Sequence, residues 1–238
     1  MSDKREIKDI EIEEIRIEDT EIKDAAPKKA VNKSNDISGM FKDTTILLVI
    51  TLVAGLLLAL VYQITKEPIA TQKEKAKQEA CKEVFADAAS FEGVEFTQPD
   101  TAAWTEAGYA QEVIDEIMAA KDGSGNVLGY VITVTTKEGY GGDIKFSIGI
   151  RQDGLVNGIS ILEIAETAGL GMRAEEVLKP QFADKNVEQF EYSKSGAVSE
   201  NQVDAISGAT ITTNAVVNGV NAGLYYFRTE LKGGSGNE

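Results

Sequence analysis

Histidine is absent from the 238 residues, and cysteine occurs once, at Cys81. The first absence removes histidine general bases, Ser–His and Cys–His nucleophile pairs, and His-ligated zinc or haem. The second removes an intrachain disulfide, an iron–sulfur cluster and a thiolate zinc site. Redox chemistry in this chain therefore needs an organic cofactor. Cations are also outnumbered: 24 Lys and Arg stand against 39 Asp and Glu, a formal net charge of −15. Nucleic acid is not an expected partner, because its phosphate backbone is bound by clustered cations. The length predicts one or two domains around one well-buried core.

What is present divides into parts. Residues 1–43 carry 9 basic and 12 acidic side chains and neither Trp nor Tyr. Ile7, Ile10, Ile12, Ile15, Ile17 and Ile22 follow neither an alternating nor a helical period throughout. This composition predicts a disordered charged tail. The alternative is a segment that adds as a strand or short helix to a partner's edge.

Residues 44–65, TTILLVITLVAGLLLALVYQIT, are 22 positions without a charge. At about 1.5 Å per residue a helix of that length crosses the hydrocarbon of a bilayer. Tyr62 and Gln63 stand at its far end, where amphipathic groups favour the interface. A cleaved signal peptide would have a shorter apolar region and would not start 43 residues in. One transmembrane helix in contact with lipid is expected. Lys28, Lys29, Lys33 and Lys42 precede it, and Lys66, Lys73, Lys75, Lys77 and Lys82 follow. Counts so nearly balanced do not orient it.

Residues 66–89 have Pro68 near their start and continue in strong helix formers, predicting a juxtamembrane helix from Glu67 to about Phe85. Cys81 is expected there as a packed residue. Residues 90–232 read as one α+β domain with a mainly antiparallel sheet and flanking helices, and 233–238 as a flexible end. Val127–Thr136, Ile144–Ile150 and Val156–Ile164 are predicted strands joined by short loops, hence antiparallel neighbours. Ile144, Phe146, Ile148 and Ile150 share one face. A short helix is predicted over Arg173–Leu178 and a longer one over Thr213–Leu231, with Val216, Val217, Val220, Leu224, Phe227 and Leu231 as its stripe.

Three stretches suit a phosphorylated planar ligand. In Asp204-Ala205-Ile206-Ser207-Gly208-Ala209-Thr210, small residues precede the last helix, whose amino end favours an anion. A Thr-rich helix cap explains the same residues. Glu166-Thr167-Ala168-Gly169-Leu170-Gly171 is a tight turn that exposes backbone donors, or an ordinary strand-to-helix loop. Gly139-Tyr140-Gly141-Gly142 before Asp143, Ile144 and Lys145 is a hairpin turn, or a loop against which a flat ring lies with Lys145 as a nearby cation.

Together these stretches carry a resemblance. Asp204 followed by SGAT resembles the flavinylation pattern D-x-x-[ST]-[GA]-A-T of FMN-binding domains. GYGG, ETAGLG and DAISGAT in that order are similar to the G subunits of Rnf ferredoxin:NAD oxidoreductase complexes, over roughly 44–232. The C subunits of the Na-translocating NADH:quinone oxidoreductase (Nqr) are near relatives and the alternative. A membrane-anchored binding module without redox chemistry is a third reading. Two departures stand out: Ala168 occupies a position where the family usually has Pro, and the family lacks a long charged tail.

The resemblance implies FMN joined through its phosphate to Thr210, with Ser207, Gly208 and Ala209 around the phosphate and Asp204 completing the modification motif. It implies that Glu166, Thr167, Gly169, Leu170 and Gly171, with Gly141 and Gly142, line the isoalloxazine. No catalytic or metal-ligating residue is implied. It also implies an electron relay coupled within its complex to Na or proton translocation, an ApbE-type flavin transferase as maturation partner, and other Rnf subunits as neighbours. The large domain would lie outside the cytoplasmic membrane and the tail in the cytoplasm. Residues 66–238 carry 15 cations and 27 anions, a net −12. Negative surroundings disfavour an added electron.

Overall fold

The computed structural model describes residues 33–232, with side chains from position 39 onward. The tail expected over 1–32 and the flexible end at 233–238 lie outside the described residues. By its contacts the chain divides into two units, Met1–Tyr62 and Gln63–Glu238.

Helix α1 runs from Lys33 to Val84 with Pro68 inside it. Two expectations change here. Residues 33–43, read as part of a disordered tail, are helical. Pro68, read as the start of a second helix, is crossed by a continuous one, although proline cannot donate to the carbonyl four residues back. The apolar side chains of 46–61 are exposed, as in a helix whose surroundings are hydrocarbon. The segment is long and apolar enough to cross a membrane.

The second unit is built on β1 (Ser90–Gly93), α2 (Thr101–Glu106), β2 (Glu112–Lys121), β3 (Val127–Thr136), β4 (Ile144–Arg151) and β5 (Val156–Ile164). The five strands form one sheet in sequence order, each antiparallel to the next. A short helix α3 (Ala174–Val177) sits between single 3₁₀ turns at Gly171–Arg173 and Lys179–Phe182. Strands β6 (Glu191–Ser193) and β7 (Gln202–Asp204) pair in parallel. Helix α4 (Thr210–Tyr226) ends in a wider turn over Phe227–Leu231.

Alternation along β4 divides the core. Ile144, Phe146, Ile148 and Ile150 are fully buried towards α4. Gly219 and Gly223 let α4 approach them: an added Cβ would stand 2.7 Å from Phe146 Cζ and 2.5 Å from Ile148 Cδ1. The opposite face takes the end of α1, where Cys81, Val84 and Phe85 pack on Ala120 and Val131. Lys73 pairs with Glu163 at 2.8 Å and Lys77 with Glu116 at 2.7 Å across that contact. Cys81 is 2% exposed, the packed residue its helix predicts.

Candidate functional site

Antiparallel pairing brings the three motif stretches to one end of the sheet. Ile144 opposes Ile164, so the β3–β4 loop and the chain leaving β5 emerge side by side. Gly141 lies against the Ala165 carbonyl, where a Cβ would stand 2.2 Å from that oxygen. Glu166, 8% exposed, accepts a hydrogen bond from the Tyr140 amide through Oε1 at 2.7 Å. An amide donating to a carboxylate is one of the stronger hydrogen bonds. It ties the two loops together.

The third stretch joins through α4. Gly171 packs against Glu166 and Thr212 so closely that a Cβ would fall 2.7 Å from Glu166 Cβ and 2.7 Å from Thr212 Oγ1. Gly208, at φ +78°, lies beneath Leu170. Its conformation is one that non-glycine residues rarely adopt. Between these contacts is a cleft of about 540 Å³ lined by Tyr140, Glu166, Leu170, Gly208, Thr210 and Thr212. That volume is within the range of small-molecule sites.

The hydroxyls at the start of α4 have different duties. Thr213 is fully buried; its Oγ1 donates to the Ala209 carbonyl at 2.9 Å and accepts from the Ile206 amide at 3.1 Å. Thr212 is buried beside Gly171. Thr210 is half-buried and lines the cleft. Ala209 supplies no side-chain cap, and the first intrahelical amide is that of Thr213. The amides of Thr210, Ile211 and Thr212 are those that a helix leaves open at its start.

Of the residues singled out in the sequence, Glu166, Thr167, Leu170, Gly171, Gly208, Ala209 and Thr210 line this cleft. Gly141, Gly142 and Gly169 shape its loops, the last two with φ of +144° and +75°. Ser207 and Asp204 are exposed and stand outside the lining. Asp204 Oδ1 accepts from the Ala197 amide, and its own amide donates to Gln181 Oε1 at 2.6 Å. Lys145 requires a correction. It lies on the face of β4 towards α1 and pairs with Asp115 at 3.2 Å, away from the cleft. The alternation that buries Ile144 and Phe146 under α4 sends Lys145 to the other side. Sequence reasoning gave no role to Tyr140, 71% exposed at the mouth, or to Ile211 on the wall, while Thr212, noted as one of the hydroxyls at the helix start, lines the cleft too. Tyr140 stands inside the GYGG stretch, which was its signal.

Residues 139–225 match the FMN-binding domain family, and residues 37–84 match the RnfG N-terminal region. The G subunit of the Na+-translocating ferredoxin:NAD+ oxidoreductase complex of Acetobacterium woodii is 34% identical over 196 residues, 81% of this chain and 94% of that one. The G subunit of the ion-translocating oxidoreductase complex of Methanosarcina acetivorans is 33% identical over 194 residues, 81% of this chain and 96% of that one. The counterpart from the proton-translocating complex of Clostridium ljungdahlii is 30% identical over 190 residues, 79% of this chain and 91% of that one. The chain belongs to the Rnf G-subunit family. Membership sets aside the Nqr alternative, and the FMN-binding domain sets aside the cofactor-free module. With the apolar stretch of α1 it makes the chain a single-pass membrane protein.

The cleft suits FMN on its own features. Open amides at the start of α4 suit an anionic phosphate. Tyr140, Leu170 and Ile211 offer apolar surface, all three exposed, and the glycines leave room for a flat ring against backbone.

Proposed function

We propose that the chain is a fixed electron relay of an ion-translocating ferredoxin:NAD+ oxidoreductase. FMN is held on Thr210 as a phosphodiester, and the domain stands on the extracytoplasmic side. The observation that carries the attachment site is the division of labour among the threonines. Thr213 spends its hydroxyl on the helix cap; Thr212 lines the cleft but is buried against Gly171; half-buried Thr210 lines it with surface left open. The ester forms when Thr210 Oγ loses its proton and bonds to phosphorus, displacing the leaving group of an activated flavin phosphoanhydride. An ApbE-type transferase is the catalyst this implies.

When bound, FMN supplies acceptance and release of one or two electrons. The protein's part is position. The amides of Thr210, Ile211 and Thr212, left open at the helix start, would hold the phosphate. The Glu166–Tyr140 bond fixes the distance between the two loops. Leu170 and Ile211 would offer apolar surface to the ring. Asp204, held by Ala197 and Gln181, braces the approach to the motif, which fits recognition by the transferase better than contact with the flavin. Other subunits of the complex are the electron donor and acceptor, and the exposure of Tyr140 at the cleft mouth supports their access to it.

Thr210→Val tests the attachment. The membrane-purified chain should lose in-gel flavin fluorescence, and its intact mass should fall by one FMN ester relative to the parent. Fluorescence that persists would move the linkage to Thr212 or Thr213.

A further inference from the structure

Beside the cleft is a buried carboxyl with no part in the contacts above. Glu112 opens β2, and its side chain is 3% exposed. Its Oε1 accepts a long bond from Thr136 Oγ1 at 3.3 Å, and its Oε2 has no hydrogen-bond partner. Several elements pack around it. From β3 and its extension come Thr136 and Glu138. From α4, Asn214 and Asn218 donate to Glu138 Oε2 at 3.2 and 2.7 Å. From α2, Trp104 Nε1 donates to the Glu112 carbonyl at 2.9 Å. Tyr109 follows α2 and feels the Glu112 charge. Among the described residues no lysine or arginine forms an ion pair with Glu112 or Glu138, and Arg228 acts on Tyr109. Burial, and then the like charge of Glu138, push the Glu112 carboxyl up to about 7.

The cluster is joined to the cleft by short links. The Glu138 amide donates to Thr136 Oγ1 at 3.3 Å. Two residues later Tyr140 lines the cleft. Asn214 lies one helical turn from Thr210, about 6 Å along the axis. Hydrogen bonds and a short run of chain thus link the cleft lining to Glu138 and Glu112. The two carboxylates are held differently: Glu138 accepts from two side-chain amides, whereas Glu112 has one long bond and a bare oxygen.

We propose that Glu112 is the proton-uptake group of the redox site, binding a proton from solvent when negative charge enters the cleft and releasing it when that charge leaves. This rests on the reading that Thr210 holds FMN. The electron comes from a reduced redox protein, or from dithionite in a test, and resides on the ring. The proton leaves a solvent hydronium, whose O–H bond breaks to leave water, and forms an O–H bond on the Glu112 carboxylate; no other bond is made or broken. Half-buried Glu138 is on the solvent side of the route. An added negative charge nearby raises the proton affinity of a buried carboxyl, and a bound proton in turn favours the electron. Glu112 is thus a positioning residue for charge rather than a ligand of the ring.

The test is a reduced-minus-oxidised infrared difference spectrum of the full flavin-loaded chain in detergent, just above neutral pH. A carboxylic C=O band should appear on reduction and be lost in Glu112→Gln. The midpoint potential of Glu112→Gln should also depend less steeply on pH. Glu138→Gln retains Glu112 and removes the like charge, so the pH range in which the band appears should move downwards. That variant keeps the inference testable should Glu112→Gln fail to fold. A band unchanged in Glu112→Gln, or no carboxyl band in a fluorescent chain, overturns the inference alone. A chain without flavin fluorescence overturns the Thr210 reading and this inference with it.

Discussion

At the scale of single residues, Glu166 and Gly171 carry the shape of the cleft. Glu166→Ala leaves the Tyr140 amide without its acceptor. Losing such a partner costs about 1–3 kcal/mol where the donor is shielded from water. Thermal unfolding should show that loss, and flavin content should fall because the β3–β4 loop is freed. Glu166→Gln retains an acceptor and should lose less. Gly171→Ala should do comparable harm by another route, forcing a Cβ into the 2.7 Å approach of Glu166 and Thr212; overpacking of this kind costs about 1–3 kcal/mol. A Gly171→Ala chain as stable and as yellow as the parent would show that these loops shift freely. Glu112 has a signature in pH. Its folded pKa of about 7 is above the ordinary 4.5. Between those values the folded chain holds a proton that the unfolded chain has released. Stability therefore falls as pH rises through that window and is level above it. Urea unfolding of Glu112→Gln at about pH 5 and about pH 8 should find a smaller difference than in the parent.

At the scale of elements, the contact of α4 with β4 holds the helix start over the loops. Gly223→Val would place a branched side chain where even an added Cβ would stand 2.5 Å from Ile148 Cδ1. The helix must then lift, at a cost of about 1–3 kcal/mol. Both the unfolding midpoint and flavin content should drop together, since Thr210 moves with the helix. The sheet face beneath it was readable in advance: β3, β4 and β5 are rich in β-branched residues, and the period of two in β4 gave its buried face. The same period assigns Lys145 to the opposite face, and only its closeness in sequence to GYGG drew it to the cleft. Strand β2 was not readable. Glu112, Glu116, Met118, Ala119 and Ala120 favour helix, and a bulge between Ile114 and Glu116 breaks the alternation. Strands β1, β6 and β7 are three or four residues long, too short for any period. The cleft was legible as three motifs because glycine and threonine mark backbone geometry locally. Glu112 was not, because its burial depends on partners far along the chain.

At the scale of the whole molecule, the orientation of the domain decides which partners it meets. Within about 20 residues of the apolar segment, four lysines before it and five after it give the positive-inside rule no preference, so the side must be measured. The chain supplies its own control. Cys81, its single thiol, is 2% exposed beneath the sheet, and a folded chain should be silent to a thiol reagent. Ala89 is exposed just before β1, its amide held by the Lys121 carbonyl at 2.7 Å. Its side chain is free to be replaced without disturbing that bond. In intact cells Ala89→Cys should react with a membrane-impermeant maleimide while the parent does not. That result would put the cleft, with Tyr140 at its mouth, on the face where an extracytoplasmic transferase works. Reaction only after lysis would put the domain in the cytoplasm and require flavin attachment and electron delivery from that side. Reaction of the parent in intact cells would mean that the α1–sheet contact opens, and unfolding measurements would then have to precede any statement of side.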